Sequence, residues 1–204
     1  MRSVRSAALL AGLSFSIAPL AAAQDAAGAS YPGRYPYTAA DIEFVSGMIS
    51  HHAQAIVMAK WAPTHGANKS VSVLCERIIN AQTDEITLMQ NWLKDRKLPV
   101  PEAKPLPMKM KMADGMMMDM LMPGMLSDAQ MKQLDDARGK EFDRLFLTFM
   151  IQHHKGAVAM VKTLFESPGA GQDETVFKFA SDVNVDQSTE IERMSRMLIS
   201  LPGK

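Results

Sequence analysis

The chain has 204 residues, with 22 basic and 22 acidic side chains and a formal net charge of zero. Nothing in this balance suggests a nucleic-acid-binding protein, and the length suits one domain with a core of its own. The single cysteine, Cys75, cannot form an internal disulfide. Because it lies in an apolar run, we expect a small buried side chain rather than a metal ligand or a thiol that links two copies.

Residues 1–23 have the pattern of a secretory signal peptide. Two arginines precede an apolar stretch from Ala7 to Leu20, and three alanines follow it. The stretch is shorter than the roughly 20 residues that span a bilayer. We therefore expect cleavage after Ala23, a periplasmic or secreted protein with no membrane span, and a flexible segment over residues 24–37.

Four helices are predicted downstream, in two pairs. The first hairpin covers residues 38–97, with helices at about 38–61 and 69–97, and the second covers residues 127–204, with helices at about 127–166 and 172–200. No segment shows a strand-like alternation that competes with these helices. The sequence therefore predicts an all-α fold, a ferritin-like four-helix bundle made of two duplicated hairpins joined by a long linker over residues 98–126.

The first helix of each hairpin carries the same motif, and the two copies lie 102 residues apart. In each copy a methionine precedes two adjacent histidines by three and four residues, which is a helical spacing. Both imidazoles then flank the buried stripe of their helix. The motif holds four of the five histidines of the chain, His65 being the fifth, and its residues are Met48, His51, His52, Met150, His153 and His154.

The second helix of each hairpin has polar residues in its seam, the stripe of otherwise apolar positions that packs against the rest of the bundle. A glutamine, a glutamate and a methionine follow one another at intervals of three and four residues: Gln82, Glu85 and Met89 in the first hairpin, and Gln187, Glu190 and Met194 in the second. Folding each hairpin brings them near the level of the histidines. Buried polar groups without partners would cost several kcal/mol, so these groups must satisfy one another, a metal, or both. A glutamate can pair with a protonated histidine, or accept the second ring N–H of a metal-bound one. The duplicated set favours metal.

The linker is rich in methionine. Half of the 18 methionines lie within 18 residues, and thioethers are soft ligands that suit Cu(I) or Ag(I). In an oxidising compartment they are more durable soft ligands than cysteine. The alternative is an apolar segment that packs loosely over the bundle, but interleaved lysines and aspartates oppose a packed helix face. We expect a flexible copper collector formed by Met108, Met110, Met112, Met116, Met117, Met118, Met120, Met122 and Met125.

The pattern Met-Ile-x-His-His-x-x-Ala, followed some thirty residues later by Gln-x-x-Glu-Ile-x-x-Met, occurs twice over residues 38–200. It resembles the domain-of-unknown-function 305 family of exported, ferritin-like bundle proteins. The resemblance implies copper binding and copper resistance in the periplasm, with Met and His as ligands. Carried onto this chain, the implied ligands are Met48, His51, His52, Met58, Met150, His153, His154 and Met160.

Three functions remain open at this point. The favoured one is a periplasmic protein that sequesters or delivers Cu(I), with copper ions and a copper-exporting or copper-accepting protein as partners and with no catalytic activity. The second is a ferritin-like di-metal oxidase, against which stands the lack of any Glu-x-x-His; metal-centred cupric reduction is a weaker variant. The third is a metal-free interaction module in which the methionine-rich segment docks a partner or a membrane surface.

Overall fold

A computed structural model describes residues 36–111 and 115–201. Within these ranges the chain forms five helices and two short strands. The expected signal peptide, most of the segment that follows it, and Met112 lie outside the described residues. In chain order the elements are α1 (Ala39–Lys60), α2 (Lys69–Asp95), β1 (Met108–Lys111), β2 (Met117–Met120), α3 (Asp128–Asp136), α4 (Gly139–Glu166) and α5 (Glu174–Ser200).

Side-chain caps explain where three of the four long helices begin, α4 being the exception. Thr38 and Asp41 form the capping box that the sequence predicts for α1. Asn68 caps α2, and Asp173 caps α5, each by accepting hydrogen bonds from two backbone amides of the first turn. These side chains satisfy amides that have no partner inside the helix. The predicted all-α class is confirmed.

The four long helices form two antiparallel hairpins, α1 with α2 and α4 with α5. The hairpins join through α1 and α4, the two helices that carry the histidine pairs. Two clusters of buried apolar side chains fill the bundle, and each contains residues from both hairpins. No helix in the described ranges is both long and apolar enough to cross a membrane.

The prediction of one helix over residues 127–166 is wrong, because the chain breaks between α3 and α4. Ala137 and Arg138 are extended, and Gly139 has a φ of +56°. His65, in the turn after α1, bonds to both sides of this break. Its carbonyl accepts a hydrogen bond from the Gly139 amide at 2.8 Å, and its ring donates to the carbonyl of Asp135 at 2.9 Å. Tertiary hydrogen bonds thus replace those of a continuous helix.

The linker also differs from the expectation of helices alone. Strands β1 and β2 form an antiparallel hairpin in which Met108 pairs with Met120 and Met110 with Met118. The alternation of methionine and lysine over residues 108–111 is a period-2 signal for this hairpin. Beyond it, Met122, Met125 and Leu126 are buried. The end of the linker is therefore part of the core rather than a free tether.

Candidate metal centre

The four repeat histidines lie at the contact between α1 and α4, and all four are fully buried. His51 and His153 form the inner pair, with their ring centroids 3.8 Å apart. His52 and His154 form the outer pair, and each ring centroid lies 6.4 Å from that of its sequence neighbour. The structure thus brings the histidines of both repeats to one place.

Each outer histidine binds a glutamate of the second helix of its own hairpin. His52 Nε2 lies 2.7 Å from a carboxylate oxygen of Glu85, and His154 Nε2 lies 2.7 Å from one of Glu190. Both glutamates are partly exposed at the outer side of the centre. In the tautomer whose Nε2–H donates to the carboxylate, the lone pair of the ring is on Nδ1. This is how a carboxylate orients a metal-binding histidine.

The inner histidines have fewer partners. His51 Nε2–H donates to the carbonyl oxygen of Pro123 at 2.9 Å, which leaves Nδ1 as the acceptor of a neutral ring. Neither ring nitrogen of His153 makes a hydrogen bond of normal geometry in the described structure, although the nearby backbone of His51 acts to raise its pKa, and Nδ1 of the other three histidines has no partner either. Five buried nitrogens are therefore unpaired, which is costly unless a ligand uses them.

Burial keeps the inner histidines neutral. It lowers the pKa of His51 to about 3, with a further contribution from neighbouring His52. Burial also holds the pKa of His153 well below its ordinary value, assisted by repulsion from His51. A neutral imidazole has a lone pair available for a metal, so no proton must leave these rings at neutral pH before they bind one.

Thioethers lie in the core on both sides of the histidines, in an arrangement that mixes the repeats. Met48 and Met89 of the first hairpin share one buried cluster with Met160 of the second. The opposite cluster contains Met150, Met194 and Met58, the corresponding residues with the hairpins exchanged. All six are less than a tenth exposed. Each half of the centre is thus flanked by methionines from both repeats.

The two seam glutamines are buried as predicted, with Gln82 3% and Gln187 5% exposed. Their side-chain oxygens have no hydrogen-bond partner among the described residues. They add two oxygen atoms without partners to the five nitrogens. Cys75, by contrast, is 1% exposed in an apolar cluster, and burial raises its pKa to about 12. A thiol in this state is a poor ligand and a poor nucleophile, which fits the expected packing role.

The structure divides the linker methionines rather than grouping them. Met116, Met118 and Met120 are exposed, whereas Met122 and Met125 are buried against the bundle. Met108, Met110 and Met117 lie in the strands. The methionines of the β-hairpin and those of the core are therefore in separate places. Met122 is the first buried methionine after the hairpin.

The residues that fasten the linker to the centre were missed by the sequence analysis. Gln54 exchanges two hydrogen bonds with the backbone of Leu126, at 3.0 and 2.7 Å. Gln152 donates to the carbonyl of Gly124 at 3.3 Å. With the bond from His51 to Pro123, these contacts cover α1 and α4 with residues 123–126. Gln54 takes the place in the first repeat that Gly156 takes in the second, and this difference is the signal that could have revealed the contact.

The four histidines are close together, but they do not by themselves converge on one point where a metal ion could be held by three of them. Among residues 36–111 and 115–201, no three histidine, cysteine, aspartate or glutamate side chains are arranged to hold a metal ion. A carboxylate-bridged metal pair would need such a group. Imidazoles combined with thioethers are a donor set for a soft cation instead.

The family model "Domain of unknown function (DUF305)" matches residues 41–198. An uncharacterized protein of Acanthamoeba polyphaga mimivirus is 38% identical over 58 residues, which are 28% of this chain and only 38% of that relative. A crystal structure of a DUF305 protein from Streptomyces coelicolor, provisionally described as secreted, is 29% identical with a TM-score of 0.67, covering 81% of this chain and 95% of that one.

Structures of the protein CopM are also similar. Its Cu(I)-bound form is 27% identical with a TM-score of 0.60 and covers 80% of this chain and 98% of its own. Its Cu(II)-bound form is 29% identical with a TM-score of 0.57 and covers 78% and 95%.

Proposed function

This chain belongs to the DUF305 family, and we propose that it binds copper, chiefly as Cu(I), through its buried histidines and methionines and through the methionines of its linker. The observation that carries the proposal is the set of five unpaired ring nitrogens on four buried imidazoles. A bundle that buries these atoms and flanks them with thioethers suits a soft cation. The copper-bound structures of CopM support the same choice of metal.

In this proposal the protein stores or passes on copper outside the cytoplasm and catalyses no reaction. The signal-peptide pattern of residues 1–23 supports export, and so does the Streptomyces coelicolor protein that is provisionally described as secreted. The physiological partner would be a protein that exports or accepts copper. Each Cu(I) would use one or two of the free ring nitrogens (Nδ1 of His51, His52 or His154, or either nitrogen of His153) together with thioethers, while Glu85 and Glu190 hold the outer rings in the binding tautomer.

The first experiment is a titration of residues 24–204, the chain expected after signal-peptide cleavage, with Cu(I) against a competing chelator. We expect the wild type to bind several equivalents and the double variant His51→Gln/His153→Gln to lose the tightest of them. His65→Gln is the control, since His65 is buried but bonded to Asp135 outside the centre. Circular dichroism checks the fold of each variant. Absence of Cu(I) binding by the wild type would reject the proposal.

The contribution of the linker needs substitution rather than deletion. Removing residues 108–125 would also remove the buried Met122 and Met125 and the Pro123 carbonyl that accepts the hydrogen bond from His51. Replacing the exposed Met116, Met118 and Met120 with leucine leaves those contacts intact. Copper that this triple variant retains and then loses when His51→Gln/His153→Gln is added belongs to the bundle; loss of all copper from the triple variant alone would show that the histidines are not a copper site. Oxygen uptake with Fe(II) in the same preparations tests the oxidase alternative.

A further inference from the structure

A cavity of about 390 Å³ lies between the linker, the amino-terminal half of α1 and the carboxy-terminal half of α4. Three methionines line it: Met120 from β2, Met122 from the segment that follows, and Met160 from α4. Met120 is 41% exposed at the outer side, whereas Met122 and Met160 are 5% and 9% exposed. The thioethers therefore extend from solvent into the protein interior.

Pro123 connects this cavity to the histidine centre. Pro123 lines the cavity, and its carbonyl oxygen accepts the hydrogen bond from His51 Nε2 at 2.9 Å. Pro123 therefore contacts both the cavity and the inner histidine pair. On its outer side, Met120 continues into the hairpin, where it pairs with Met108.

From these contacts we infer that the cavity is a separate three-thioether binding site for a soft monovalent cation, through which the ion passes between the methionine hairpin and the histidine centre. The inference rests on the proposed function and adds a site and a route to it. Thioethers bind such ions without losing a proton. The one charged side chain among the described residues of the lining is the carboxylate of Glu43, whose sign attracts a cation.

The duplication supplies an internal comparison. Met58 is the counterpart of Met160 in the first repeat, ten residues after the motif methionine in each case. It is fully buried in the opposite cluster and does not line the cavity. Met122 and Met125 of the linker are buried in the cluster that contains Met160, so the site forms at Met160 and has no copy at Met58.

The test uses the full exported chain labelled with ¹³C at the methionine methyl groups and titrated with Ag(I), a soft monovalent ion that is not readily oxidised. We expect the methyl resonances of Met120, Met122 and Met160 to shift together and to saturate at the same equivalent of Ag(I). Single methionine-to-leucine variants assign the signals. Met58 should not move with this group.

Two variants distinguish a shared site from separate ones. Met122→Leu should abolish the shift of Met160, because the two thioethers bind the same ion; Met131→Leu, a control in α3 outside the cavity and the metal centre, should leave it unchanged. A Met160 shift that persists in Met122→Leu, or shifts of the imidazole resonances without any at Met120 and Met122, would overturn the inference while leaving the proposed function standing. If no methionine or imidazole resonance moves at any Ag(I) concentration, the proposed function itself fails.

Discussion

Gly156 and Gln54 occupy equivalent positions in the two repeats, and both contact the linker, one through hydrogen bonds and the other through close packing. Gln54 holds Leu126 by two hydrogen bonds. Gly156 leaves space: a Cβ added there would lie 1.9 Å from the Pro123 carbonyl oxygen and 2.6 Å from Gly124 Cα. Gly124, with a φ of +77°, makes the turn that this approach requires. One residue bonds the segment, and the other makes room for it.

Replacing Gly156 with alanine should therefore destabilise the protein. Alanine favours a helix over glycine by about 1 kcal/mol, but the new methyl group would displace the backbone of residues 123–124, and overpacking of this kind costs about 1–3 kcal/mol. We expect clashes to dominate, with a lower midpoint in urea unfolding. Lys155→Ala, an exposed neighbour on the same helix, is the control and should change stability by less than about 0.5 kcal/mol. Equal stability of Gly156→Ala and wild type would contradict the close packing of linker on α4.

At the scale of elements, one carboxylate joins the end of α2 to the start of α5. Asp173 caps α5, accepts a hydrogen bond from the indole of Trp92 at 2.9 Å and pairs with Arg96. The Arg96 guanidinium lies over the Trp92 ring, 4.2 Å from its centroid. Asp173 is 2% exposed. This pairing holds the two hairpins together at one end of the bundle, far along both helices from the metal centre.

Asp173→Asn should lower the free energy of unfolding by about 3–5 kcal/mol, since it leaves the buried guanidinium of Arg96 without its counter-charge. Urea unfolding at neutral pH measures this. Asp182→Asn is the matched control, because Asp182 is half exposed and pairs only with Lys178, so its loss should cost no more than about 1 kcal/mol. Similar losses in both variants would show that the Asp173 pair adds nothing beyond a surface pair.

The same site predicts a dependence on pH. Burial raises the pKa of Asp173, but hydrogen bonds from Trp92, Val176 and Arg96 outweigh it and bring the pKa below its ordinary value of 3.8. A carboxyl with a lowered pKa stabilises the fold above that value, and the stabilisation is lost as the pH falls through the folded-state pKa. The stability difference between wild type and Asp173→Asn should therefore shrink below about pH 4. A difference that stays constant down to pH 2 would contradict this account.

At the scale of the whole molecule, the metal centre lies where the two hairpins meet. A ligand bound there contacts α1 and α4 and so holds the hairpins together, and a ligand that binds only the folded state stabilises it by mass action. At one hundred times the dissociation constant we expect Cu(I) to add about 2.7 kcal/mol to the free energy of unfolding. Thermal or urea unfolding with and without Cu(I) measures it, and His51→Gln/His153→Gln should lose most of the gain. If the unfolding midpoint of the wild type is the same with and without Cu(I), copper does not bind inside the bundle.

Much of this organisation was determined by sequence alone, because local periodicity and duplication carry it. The spacing of Met48, His51 and His52 placed both imidazoles beside a buried stripe, and the seam through Gln82 and Glu85 placed their partners on the next helix. These are properties of a single helix or a single hairpin. The all-α class followed from the same patterns.

Only the tertiary structure decided how the linker and the histidines combine. The contact of His51 with His153, the hydrogen bond from His51 to Pro123, and the cavity beside Met160 all join residues distant in the chain. The break between α3 and α4 likewise depends on hydrogen bonds from the turn at His65. Periodicity describes which side of an element is buried, whereas these features depend on which elements meet that side and on backbone groups that leave no trace in side-chain pattern.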